Sequence, residues 1–188
     1  GLQSDYLNTT YTQTNFAVAR YTNAGSLDKS GTAVSGFGPD GRLITDLTDV
    51  AGEVADDAAA SVIQADGKIL VAGRTGLFGQ NSGIVSRYNT DGTLDLSFGP
   101  NGRINLGAFN SNGITGITLC APTGNPAIQP IYVTGTVFNQ ITFRNDIAVA
   151  SITASGEFNT AFGANGIALA EFPQNTTAEA IAIQTVNN

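Results

Sequence analysis

Over most of the chain apolar residues alternate with polar or small ones in short runs, and most runs end at a glycine-bearing turn. FAVARY, RLITDL, ASVIQ and KILVAGRT follow one another in this way; IVSRY, RINLGA, ITGITL and IYVTGT repeat the series. A period of two predicts strands, and no segment carries a helical period. Asp66-Gly67, between VIQA and KILVAG, is the clearest hairpin signal, because a type I′ turn needs positive φ at both central positions. In the second copy the longer, proline-bearing APTGNPAIQP stands at that corner.

The runs belong to a longer period. FAVARYTNAGSLD (16–28), IVSRYNTDGTLD (84–95) and IAVASITASGEFN (147–159) align, and each precedes a Phe-Gly-x-x-Gly element, at 37–41, 98–102 and 162–166. Successive phenylalanines of that element lie 61 and 64 residues apart, and the first copy carries an insertion, roughly KSGTAV, between Leu27 and Phe37. The period divides the chain into an N-terminal segment (1–14), two full repeats (15–82 and 83–145) and an incomplete third (146–188). Four antiparallel strands per period predict an all-β fold: a β-propeller-like array of about three four-stranded blades. One such sheet cannot bury both faces alone and must stack on neighbours. A parallel β-helix has shorter coils and fewer sharp hairpins, and a two-sheet sandwich leaves the repeat unexplained. Three periods are fewer than the four to eight blades of a closed propeller. The expectation is a partial propeller completed by a second chain or by further repeats, with SDYLNTTYTQT pairing beside AEAIAIQ of the third repeat.

ARYTNAGSLD, FGPDG and IQADGKILVAG in the first copy, and SRYNTDGTLDLSFGPNG in the second, resemble the bacterial delta-60 repeat proteins. The third copy, with ASITASGEFN and AFGANG, is degenerate. The resemblance runs from Asn15 to Asn188. It implies a β-propeller-like fold and a bacterial, often exported protein, and it brings no activity that can be carried over residue by residue.

Composition removes most catalytic chemistry. The 188 residues contain no histidine and a single cysteine, Cys120, so the chain cannot by itself assemble the usual zinc sites, dithiol motifs or histidine-based triads. Cys120 reads as a small buried hydrophobe. Eight basic against fifteen acidic residues give a net charge of −7, the wrong sign for nucleic acid or an anionic membrane. No apolar stretch approaches the roughly 20 residues of a membrane span. Only 12% of residues are charged and methionine is absent, which fits a secreted or cell-surface bacterial protein whose export signal is removed or lies outside this sequence.

Four sets of residues are candidates for a defined role. Arg20 and Asp28 stand eight residues apart, as do Arg87 and Asp95, and in the third copy both change together, to Ser151 and Asn159. Paired change predicts contact, an ion pair tying the first strand to its following turn. Phe37, Phe98 and Phe162 are expected to be buried between blades while the adjoining glycines take positive φ. A phosphate cradle would need a following helix and usually a lysine, and neither is present. The acidic run Asp46, Asp49, Glu53, Asp56 and Asp57 lacks the spacing of a calcium hand; it reads as a solvated loop, with weak calcium binding as the alternative. No other cofactor is expected.

The expected function is a noncatalytic exported module whose variable loops, 28–36, 48–57 and 120–130, present a surface to protein or glycan. The alternative is a structural protein closed by homo-oligomerisation. A carboxylate-based hydrolase comes last, because it needs two carboxyl groups converging in one pocket.

Overall fold

A computed structural model describes residues 14–29, 37–38, 40–47, 56–77, 80–121 and 129–184. The segment 1–13, most of the KSGTAV insertion, Asp49, Glu53 and residues 122–128 lie outside them, and with them the SDYLNTTYTQT pairing. The strands are β1 (Phe16–Ala19), β2 (Arg42–Thr45), β3 (Asp57–Ile63), β4 (Ile69–Leu77), β5 (Gln80–Tyr88), β6 (Arg103–Leu106), β7 (Ile114–Leu119), β8 (Ile131–Asn139), β9 (Arg144–Ile152) and β10 (Ile167–Ala170). A 3-10 turn at Pro100–Gly102 is the only helical piece among the described residues. The fold is all-β.

Every pairing is antiparallel and between consecutive strands: β1 with β2, β3 through β6 as one four-stranded meander, β7 through β10 as another. The sheets are out of phase with the sequence period. The middle sheet takes β3 and β4 from the end of the first repeat and β5 and β6 from the start of the second, and the last sheet is shared between the second and third in the same way. Each period therefore straddles two sheets and ties them covalently. β1–β2 is the half-sheet corresponding to β5–β6 and β9–β10.

The alternation of the central strands explains the stacking. On β4, Ile69 and Val71 join Phe16, Phe37, Leu47, Ile84 and Tyr88 in one buried cluster, towards β1–β2. Leu70 and Ala72 point the other way and join Val85, Phe98, Leu106, Phe109, Ile114, Ile131 and Val133 towards the last sheet. A strand buried on both faces needs apolar residues at both parities, and KILVA supplies them. β7 packs across β3 and β4. Ala178, Ala180 and Ile181 lie against β7 and β8 of the last sheet. A Cβ on Gly116 of β7 would come within 3.2 Å of the Ile181 nitrogen, and the Ala178 amide donates to Thr136 Oγ1 at 3.2 Å.

Two glycines make this packing possible. Gly73 and Gly135 occupy corresponding places on β4 and β8, each opposite a register shift in its neighbour, between Ala58 and Ala60 on β3 and between Ile114 and Gly116 on β7. The irregular strand brings the Asp57 carbonyl oxygen, or that of Gly113, into the space a Cβ would fill. The -V-A-G- and -V-T-G- sequences are thus the partners of two β-bulges.

Candidate functional site

The residues singled out from the repeat gather at one end of the sheets, in a junction built twice. Arg87, at the end of β5, donates from Nε to Asp95 Oδ2 at 2.7 Å and from Nη1 to the Ala154 carbonyl of the next repeat at 2.6 Å. Its guanidinium carbon lies 4.6 Å from the centre of the buried Phe98 ring. The amide of Gly99, which follows that ring, donates to the Ser155 carbonyl at 2.7 Å. The first repeat makes the same set: Arg20 to Asp28 at 2.9 Å and to the Thr90 carbonyl at 2.6 Å, stacked 5.0 Å from buried Phe37, with Gly38 donating to Asp91 at 3.0 Å. One arginine and one glycine amide of each of the first two repeats thus satisfy two adjacent carbonyls in the turn of the next.

The glycine of this element is required by geometry. Gly38, Gly99 and Gly163 have φ of 62, 53 and 56°, and a Cβ on any of them would collide with the carbonyl oxygen four residues on, that of Arg42, Arg103 or Ile167.

Asp95 accepts several further bonds, from Lys68 Nζ at 2.7 Å, from the Ser97 hydroxyl at 2.6 Å and from the Ser97 amide at 3.1 Å. Burial acts to raise its pKa; the lysine, the serine and Arg87 together outweigh burial and hold the carboxyl well below the usual range.

In the third repeat Asn159 Nδ2 faces Ser151 Oγ at 3.3 Å, a neutral pair where the others have charges. Phe162 departs from the expectation of full burial. It is half-buried, with its ring edge-on to Tyr132 at 5.6 Å between centres, and Ser151 stands where the first two repeats carry the arginine that lies over the ring.

Of the acidic run, Asp46, Asp56 and Asp57 are among the described residues, and Asp56 is no solvated residue. Its carboxylate is buried and accepts from the Leu47 amide at 2.9 Å. Asp57 accepts from Arg74 Nε at 2.8 Å across β3–β4, and Asp46 is also engaged. Among the described residues no three acidic, cysteine or histidine side chains gather as metal ligands. Cys120, one residue past the end of β7 at Leu119, is half-buried rather than buried, and its amide donates to the Pro130 carbonyl at 3.1 Å. No helix of the described residues is long and apolar enough to cross a membrane.

At the opposite end of the sheets stands a feature that alternation did not disclose. The β8–β9 hairpin presents Ile141, 90% exposed, and Phe143, 76% exposed, beside the exposed Phe138. Phe143 has φ of 55°, a left-handed conformation that an aromatic residue rarely adopts. The tip is held from below. Asn139 Oδ1 accepts from the Ile141 and Thr142 amides, Asn139 Nδ2 donates to buried Asp146 at 2.9 Å, and Asn110 Oδ1 accepts from the Phe138 amide at 3.0 Å. Arg144 donates to the Pro173 carbonyl, next to exposed Phe172. The run FNQITF between two strands was the available signal: it is too apolar for an ordinary turn and has no glycine.

Stacked antiparallel meanders joined by a repeated junction define a β-propeller-like repeat array. Residues 64–98, spanning β4, β5 and the Phe98 side of the junction, match the model of a family described as a domain of unknown function (DUF5122) beta-propeller. The match supports a propeller-like repeat family. No curated protein matches the chain.

Proposed function

We propose that the chain is a noncatalytic module of the delta-60 repeat type from an exported bacterial protein, and that it uses a rigid stack of sheets to present loops to a protein or glycan partner. The observation that carries this reading is the β8–β9 tip: two large apolar side chains nearly fully exposed on a hairpin whose backbone is braced by Asn110, Asn139 and Arg144. Burying exposed apolar surface is favourable, and a braced loop loses little entropy on binding. The aliphatic Ile141 beside Phe143 suits a protein surface better than a sugar face. Net charge and the absence of histidine agree with a binding role over nucleic-acid or triad chemistry.

Screening the chain against bacterial surface proteins and a glycan array, in parallel with an Ile141→Asp/Phe143→Asp variant, tests the reading. A ligand held by the parent and lost by the folded variant is expected. Absence of any ligand whose binding depends on this or another loop would count against it.

A further inference from the structure

The last sheet carries a knob and a hole side by side. The knob is the β8–β9 tip. In the β4–β5 hairpin Leu77 pairs with Gln80, so two residues reverse the chain; in β8–β9 Asn139 pairs with Arg144, and four residues, 140–143, do so. The longer loop carries Ile141 and Phe143, 90% and 76% exposed. The connections on both sides of this hairpin are in place: Asn110 accepts from the Phe138 amide at 3.0 Å, and Asn175 accepts from the Asn145 amide at 3.0 Å. The tip is bare with both of them present.

The hole lies between the last two sheets. A groove of about 510 Å³ is lined by Ala108 of the β6–β7 connection, Val137 of β8, Ala164, and Ile167 and Leu169 of β10. Val137 and Ile167 pack on the buried cluster between those sheets; Leu169, two residues on, shares the face of Ile167 and is 56% exposed. Both walls thus lie inside the stack. Counted from the Phe-Gly-x-x-Gly element, Ile167 and Leu169 stand where the preceding repeat has Arg103 and Asn105; counted from Gly73 and Gly135, Val137 stands where Thr75 does. Asn105 accepts from the Ser82 hydroxyl at 2.6 Å, so the earlier counterpart of the groove is polar. Three polar positions become apolar around the same sheet that lengthens its hairpin.

Charge and area select the occupant. With a net charge of −7, two copies of the chain repel unless they meet through uncharged surface. The run FNQITF and the groove lining have no charged side chain, and Asp146 beneath the tip is buried and bonded to Asn139. Seating Ile141 and Phe143 in such a groove covers about 300 Å² of tip and as much of groove, since one aromatic ring alone buries about 150–250 Å². A single insertion, about 600 Å² in all, falls short of the ~1,200 Å² at which stable interfaces begin, and two reciprocal insertions reach it. Val137, in the groove, is two residues before the end of β8 at Asn139, so knob and hole are neighbours, as an isologous contact requires.

We propose that the protein partner of the β8–β9 tip is a second copy of this chain, and that two copies form a symmetric dimer in which Ile141 and Phe143 of each enter the groove between Ala108 and Leu169 of the other; this rests on the tip being a protein-binding surface. Each copy spends its knob and its hole on one partner, so assembly stops at two.

Sedimentation velocity tests the dimer. The parent chain is expected to dimerise at micromolar concentration and to return to monomer, tip bare, on dilution. Ile141→Asp/Phe143→Asp and, separately, Leu169→Asp should each weaken the dimer at least about tenfold, as loss of an interface anchor does. Mixed, the two variants should associate more tightly than either does alone, because the intact tip of the groove variant meets the intact groove of the tip variant. Circular dichroism checks folding, and Leu169→Ser replaces Leu169→Asp if the latter unfolds. A monomeric parent, a dimer indifferent to the Leu169 substitution, a mixture no tighter than its components, or open-ended growth of the parent overturns the proposal. A monomeric parent whose tip is still needed to hold a ligand from the screen removes the second copy and leaves the binding role standing.

Discussion

Arg87 and Asp95 form a buried ion pair, Nε to Oδ2 at 2.7 Å, whose counterpart in the preceding repeat, Arg20 and Asp28, is only half-buried. The difference follows from position: the Arg87 junction lies between two full sheets and the Arg20 junction beside a half-sheet. Leaving a buried charge without its partner is far more costly than doing so near solvent. Asp95→Ala should therefore destabilise by about 3 kcal/mol, and Asp28→Ala by about 1 kcal/mol or less, in denaturant titrations. Equal losses at the two sites would show that burial does not set the strength of the junction.

The same aspartate predicts an acid response. Its native pKa is depressed, so its stabilisation is complete above the unfolded value of about 3.9 and is lost as pH falls from there towards the native value. Unfolding free energy should fall between about pH 5 and pH 2, and the fall should be shallower in Asp95→Asn, which has no proton to take up. Parallel pH profiles for the two proteins would contradict this.

Gly73 and Gly25 separate close packing from backbone preference. A Cβ at position 73 strikes the Asp57 carbonyl, while at position 25 it meets open space at φ of 79°. Gly73→Ala should cost about 2 kcal/mol or more, by displacing the bulge of β3, and Gly25→Ala about 1 kcal/mol. Thermal unfolding of the two variants tests the order, which would reverse if the bulge could move freely.

Phe143 sits in a conformation that glycine adopts without strain, and its ring is exposed. Phe143→Gly should leave stability unchanged or raise it by about 0.5–1 kcal/mol, while reducing binding of a hydrophobic dye to the folded protein. A marked loss of stability would mean that the ring packs in solution, and would remove the tip as a presented surface.

Alternation along KILVAGRT and IVSRY, the Asp66-Gly67 turn and the threefold recurrence of Phe-Gly-x-x-Gly were sufficient for an all-β, blade-like repeat, because strand period and turn position are local properties. The turn at Asp66-Gly67 is not the expected type I′: Gly67 has φ of 85°, but Asp66 does not take positive φ. The joint change of Arg20/Asp28 and Arg87/Asp95 to Ser151/Asn159 marked a pair, since residues eight apart across a turn face each other in any hairpin of that length. Where a sheet begins was not legible. A circular shift of the period leaves every strand and turn unchanged, and only hydrogen bonding between β4 and β5 places the seam inside the repeat. Nor could spacing show that Asp56 is buried and bonded to Leu47 rather than solvated, that Phe162 is half-open, or that Tyr21 is bare where Tyr88 is sealed. Those differences arise from what stacks on each face, and stacking depends on residues more than sixty positions away, such as Thr90 beneath Arg20, whose proximity the tertiary fold alone creates.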